Sequence, residues 1–239
     1  MCPSRPGRDR STHPTPEEHT MITIEHLQGF LSMHAGFRAE FGRLAEAARA
    51  PRDEAHAALI EDQVGLVLDI LHAHHTHEDV HVWPFLLQAA PEAAEDLEAL
   101  ESEHAVLDPL IARASDRSLP LPERAADLAA LHAHLNAHLD HEERTAVPLI
   151  LAHWTPEMME QDRRQAMQEI GLRRTPVVFG WIFSCLTATE REAALAQHPA
   201  VVRVLHRMFW WPAHQRRMVA LYGTAEPALP LPPNLAGAR

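Results

Sequence analysis

The chain has 239 residues, a net charge of −12 and 21 basic residues that are all arginine, so a nucleic-acid partner, which calls for a basic face, is not expected. Apolar residues make up 46% and glycines number only nine, a composition that speaks against disorder and fits one generous helical domain with an extension. The two cysteines, Cys2 and Cys185, lack CxxC spacing and build no disulfide framework, which points to a reducing, cytoplasmic setting.

Residues 1–20 form a polar, Pro-rich lead without the apolar core of a secretory signal. Residues 21–50 carry apolar side chains at helical spacing (Ile22, Ile24, Leu27, Phe30, Leu31, Phe37, Phe41, Leu44), which predicts a first long helix ending before Pro51. A second starts near Asp53 and runs through Ile60, Val64, Leu68 and Leu71 into a histidine cluster, where Pro84 is expected to kink or end it. Pro91 and Pro122 each suit the first turn of a further helix. Short loops between long amphipathic helices predict an all-α, up-down-up-down four-helix bundle over residues 21–152. Residues 153–222 read as a helical C-terminal extension: a short helix from Pro156 to Gly171, then two further helical segments. Their longest apolar run, 176–188, falls short of the roughly 20 residues that span a bilayer, so no transmembrane segment is expected. Residues 223–239 read as a Pro-rich tail.

Histidines number 19, and the stretch HHTHEDVHVWPFLL, 74–87, admits two metal readings. His77-Glu78-x-x-His81 matches HExxH, in which two histidines bind zinc and the glutamate is a general base; Glu98, Glu101 or Glu103 would have to be nominated as third ligand. His74-x-x-x-Glu78 instead offers an imidazole and a carboxylate one turn apart on one helix face. An internal repeat favours the second reading. Residues 74–87 align without gaps on HLDHEERTAVPLIL, 138–151, so His74 and Glu78 recur as His138 and Glu142, whereas His81 falls on Thr145. The first and third helices supply His34 and His104, each followed by Ala. In antiparallel neighbours, residues at one depth are equidistant from the intervening turn. The pairs His34/His74, Glu78/His104 and His104/His138 centre on Glu54, Pro91 and Leu121, all at or beside predicted turns.

His34, His74, Glu78, His104, His138 and Glu142 therefore converge on one layer of the bundle. Four imidazoles and two carboxylates exceed one tetrahedral zinc but suit two first-row ions bridged by the carboxylates; iron fits this ligation, and manganese, alone or with iron, is accepted by the same donors.

With these residues in order, the chain resembles the hemerythrin family in its bacterial HHE cation-binding form: His34, HHTHE, EHAVLD and HLDHEE match its four helical elements over roughly residues 21–152. The resemblance implies a bridged di-iron centre with His34, His74, His104 and His138 as terminal ligands and Glu78 and Glu142 as bridging carboxylates. The family's oxygen carriers have HxxxH on the third helix, but here His104 is followed four residues on by Asp108. His75, Asp108 and His134 are the candidates for the vacated position, and His26 is the alternative to His34 on the first helix. A ligating histidine usually needs its other ring nitrogen held, a task for acids such as Asp79, Asp140 and Glu143; His72, His77, His81, His132 and His141 are expected outside the ligand set. The expected function is binding or reduction of oxygen, nitric oxide or peroxide. A di-iron oxidase or oxygenase acting on an organic substrate held partly by the C-terminal helices is the enzymatic alternative, and a structural or sensory metal module is the third reading. The same apolar helices are a candidate homodimer interface.

Overall fold

The structure, a computed structural model, describes residues 22–170 and 175–225. The expected lead over 1–20, tail residues 226–239 and Gly171, the expected end of one helix, lie outside the described residues. A 3-10 turn at Ile24–Leu27 leads into α1 (Gln28–Arg49). Asp53 caps α2 (Glu54–His77), its side chain accepting from the His56 N–H at 2.7 Å. Pro84 does not end this helix. It has no N–H to donate and its ring crowds the carbonyl one turn back, so the Trp83 N–H reaches back to the Glu78 carbonyl. A π turn at Glu78–Val82 results, and the chain continues as α3 (Trp83–Ala89). A 3-10 turn at Pro91–Ala93 opens α4 (Ala94–Ser115), and α5 (Leu121–His153) follows. Helix α1 packs on α2 and α5, and α4 packs on the same two, which closes a four-helix bundle of all-α architecture.

The extension comprises α6 (Pro156–Ile170), α7 (Thr175–Ser184), α8 (Ala188–Ala196), α9 (Ala200–Leu205), a second π turn at His206–Trp210, and α10 (Trp211–Tyr222). That π turn also precedes a proline, Pro212, and the Trp211 N–H reaches back to the His206 carbonyl in the same way. More segments form than the two expected after Gly171. Helix α8 is the unforeseen one: it is mostly exposed, and its signal is a reciprocal cap in which Thr187 and Glu190 satisfy each other's backbone N–H groups.

Apolar side chains collect in two layers of the bundle. Phe37, Phe41, Leu44, Leu68, Leu71, Leu107, Leu131 and Leu135 form one; Leu31, Val82, Trp83, Leu100, Ala146 and Ile150 form the other. On every bundle helix the predicted ligand positions fall between these layers. The extension shares the first layer, because Trp181, Cys185, Met218 and Leu221 pack into it. Gly36 permits this contact: a Cβ there would lie 2.2 Å from the Cys185 Sγ. At the far end of α10, Tyr222 donates to the buried Glu40 carboxylate at 2.8 Å, beside the Gln63 amide, which donates to it at 2.7 Å.

Candidate metal centre

Two groups of buried side chains meet between the apolar layers. His34, His74, Glu78 and Glu142 form one, and His75, His104 and His138 form the other; within each, candidate ligand atoms lie within 4.8 Å of one another. Helix α1 supplies His34, α2 His74 and His75, the π turn Glu78, α4 His104, and α5 His138 and Glu142. All six residues selected by spacing come together, joined by His75. The ring of His75 stacks on His104 with centroids 4.1 Å apart.

Asp108 and His134 do not join them; both are exposed. The helix phase explains why. On α4 the buried positions run Leu97, Leu100, His104, Leu107, and on α5 Leu128, Leu131, Leu135, His138. Alternating steps of three and four keep one stripe facing the core, so the inward neighbour of His104 is Leu107 and that of His138 is Leu135. His26 is exposed, whereas His34 is fully buried. His77 hydrogen-bonds Asp162 at 2.7 Å and His81 meets Gln165 at 2.6 Å, both on α6, so the HExxH histidines face the extension instead of converging on a metal position. His72 is exposed, and His132 contacts Asn136.

The two carboxylates straddle the groups. Glu78 lies 3.1 Å from the Nε2 of His74 and 3.8 Å from that of His104. Glu142 lies 3.7 Å from the Nε2 of His34 and 3.5 Å from that of His138. Each acid therefore reaches one histidine of each group. None of the four carboxylate oxygens has a hydrogen-bond partner, nor does the Nε2 of His75. A buried polar atom left this way costs roughly 1–3 kcal/mol, more when charged.

Outside the cluster the remaining ring nitrogens are held. The Nδ1 of His34 faces Glu143 at 3.1 Å, that of His104 faces Asp79 at 2.8 Å, and that of His138 faces Glu103 at 2.8 Å. A carboxylate only accepts, so these contacts place the proton on Nδ1 and leave each Nε2 lone pair pointing inward. The Nε2 atoms of His104 and His138 then oppose each other at 3.1 Å with no proton between them, an arrangement that a cation relieves. Asp79 and Glu143 take the roles expected of them. Asp140 instead pairs with Arg38, which also holds Glu143. Glu103, which also accepts from His141, was missed in this role because the corresponding position before His34 is Met33.

Burial pushes His34, His74 and His75 well below the usual histidine range and lowers His138 to about 4. Burial likewise raises both carboxyls, and the nearby Glu142 adds to the rise at Glu78. Burial thus favours the neutral form of these four imidazoles, as ligation requires, and a cation would favour the ionised carboxylates. Five nitrogen donors, two carboxylates and their outer hydrogen bonds fit a pair of first-row metal ions.

A cavity of about 720 Å³ opens against one side of the cluster. It touches His74, Glu78 and Glu142, while its opposite wall comes from Val178, Phe179, Ile182 and Phe183 of α7. Phe30 stands at the junction, its ring 4.1 Å from that of His34.

Residues 27–150 match the family model described as hemerythrin HHE cation binding domain. No curated protein and no solved structure matches the chain.

Proposed function

Because the chain belongs to the hemerythrin HHE cation-binding family, we propose that its buried cluster holds two iron ions and binds or reduces a small ligand: oxygen, nitric oxide or peroxide. The observation that carries this reading is the placement of Glu78 and Glu142, each between a histidine of one group and a histidine of the other. Glu78 and Glu142 would then be shared by two ions, one of which would be held by His75, His104 and His138 and the other by His34 and His74. When bound, such an iron pair supplies valence change and a coordination position for the small ligand.

The chain's own residues make the two sides unequal. The side with two histidines has fewer nitrogen donors, and its His74, Glu78 and Glu142 line the cavity, so a ligand approaches there. Phe30 covers His34 and His74 with an apolar ring and limits the water that reaches them. Glu143, Asp79 and Glu103 fix the rings of His34, His104 and His138, so binding requires little rearrangement.

The test is metal content and an optical spectrum of protein from iron-supplemented cells, before and after hydrogen peroxide. The expected result is about two irons per chain, with near-ultraviolet charge-transfer absorption that disappears in His74→Ala and Glu142→Ala. One zinc per chain, lost in His81→Ala and retained in His138→Ala, would overturn the reading in favour of the HExxH site.

A further inference from the structure

The size of the cavity does not follow from a diatomic ligand. A water-sized molecule occupies about 30 Å³ of liquid, whereas the space beside His74, Glu78 and Glu142 measures about 720 Å³, within the range of roughly 300–1,000 Å³ that encloses whole organic ligands. Its body is apolar and is built by two parts of the chain: Phe30, Met33 and Ile70 from the bundle, Phe179, Ile182 and Phe183 from α7. Exposed Glu25 in the 3-10 turn before α1, exposed Gly29 at the start of α1 and exposed Gln197 beyond α8 lie on its rim. The Gln28 amide donates to the Glu190 carboxylate, which ties α8 to α1.

We propose that this cavity binds a neutral, largely apolar organic molecule, aromatic or aliphatic, with one end against the His74–Glu78–Glu142 edge of the cluster. The proposal rests on the reading of that edge as part of a metal centre. Aromatic and branched side chains give the molecule its apolar surroundings, and the polar groups at the two ends of the space limit how it lies. Outside the cluster the described lining residues include the carboxylates Glu25, Asp69, Glu160 and Asp162 and no guanidinium; an anionic head group at that end is therefore disfavoured. Gly29 keeps the bundle side of the rim open. A Cβ added there meets nothing within 4 Å, so a larger side chain enters free space without displacing a neighbour.

The experiment is a fluorescence titration of the full chain with 1-aminoanthracene, displaced by 1-dodecanol or by dodecanoate, in wild type, Gly29→Phe and Ile182→Trp. Ile182→Trp adds bulk at the α7 wall and Gly29→Phe adds it at the rim on the bundle side, and metal content is measured on the same samples. The expected result is saturable binding of one probe per chain, weakened about tenfold or more in both variants, with dodecanol the better competitor. In metal-loaded protein, dodecanol should also shift the optical spectrum of the cluster. No saturable binding, or binding indifferent to both substitutions, overturns the proposal. Preference for dodecanoate overturns the neutral class, and an unshifted spectrum overturns contact with the cluster. Probe binding is also read in metal-free protein. Loss of metal with probe binding intact therefore counts against the metal reading alone.

Discussion

Glu143 holds His34 from outside the cluster: its carboxylate accepts from the His34 Nδ1 at 3.1 Å and is itself held by Arg38 at 2.7 Å. The other half of the repeat contains the same device, with Asp79 at 2.8 Å from the Nδ1 of His104. In both halves the acid directly follows the cluster glutamate, Glu142 or Glu78, and turns to the histidine of a neighbouring helix. One short segment thus supplies both a candidate bridge and the support for a histidine opposite.

Removing such a support should weaken metal binding by about 10–100-fold. The expectation for Glu143→Ala and Asp79→Ala is a loss of that size in a chelator-competition titration, with helical content retained. Glu143→Gln keeps an acceptor and should lose less. An affinity unchanged in both alanine variants would remove the supports from the account.

The bundle and six of the cluster residues were legible because both obey the helical period and the sequence states the pattern twice. What remained ambiguous needed the phase of packed helices. Asp108 and His134 sit four residues from His104 and His138, a spacing that works for His74 and Glu78, yet the stripes of α4 and α5 take the three-residue step there and bury Leu107 and Leu135. His75 lies about 100° round the helix from His74, so only the position of α4 decides that both rings face inward. Of the cavity only the expectation that the C-terminal helices help to hold a substrate was legible; the residues that face one another across it were not, since its walls join residues of α1 to residues of α7 roughly 150 positions later.

The extension is latched to the bundle where Tyr222 donates to buried Glu40. Burial raises the Glu40 carboxyl, and the Arg43 charge and the Tyr222 and Gln63 hydrogen bonds oppose that rise. A hydrogen bond to a charged group contributes about 1.5–3 kcal/mol, and in chains of this size each kcal/mol moves Tm by about 2–4 °C. Tyr222→Phe should therefore lower Tm by roughly 3–12 °C while metal content stays the same. A thermal scan that finds no change would show the latch to be idle.

Acid should loosen the same region through His214. Its ring stacks on Trp211 and its Nε2 has no hydrogen-bond partner; burial, then the Arg217 and Arg43 charges, lowers it from 6.5 to about 4. Below pH 6.5 the unfolded chain takes up a proton that the folded chain refuses until about pH 4. The contribution is thus intact above pH 6.5 and is lost as pH falls through that window, by up to on the order of 3 kcal/mol. Metal-free His214→Phe should show a shallower fall of urea stability between pH 6.5 and 4 than metal-free wild type. Parallel curves would rule His214 out as a source of acid sensitivity.

His75 tests the division of the cluster into two sides. It belongs with His104 and His138, its Nε2 has no partner, and no other described side chain is grouped with those two histidines. Truncating it leaves that side with two imidazoles, while His34 and His74 keep both of theirs. His75→Ala should therefore erase the difference between the sides: the tight and the weaker metal step expected of wild type should draw together, with the tight one weakened, in a titration followed by metal analysis. Asp108→Ala, at the exposed position where the family pattern would put a histidine, should titrate like wild type. If Asp108→Ala weakened the tight step and His75→Ala left it unchanged, α4 would have to turn Asp108 inward on loading, and the side with three histidines would not be the one described here.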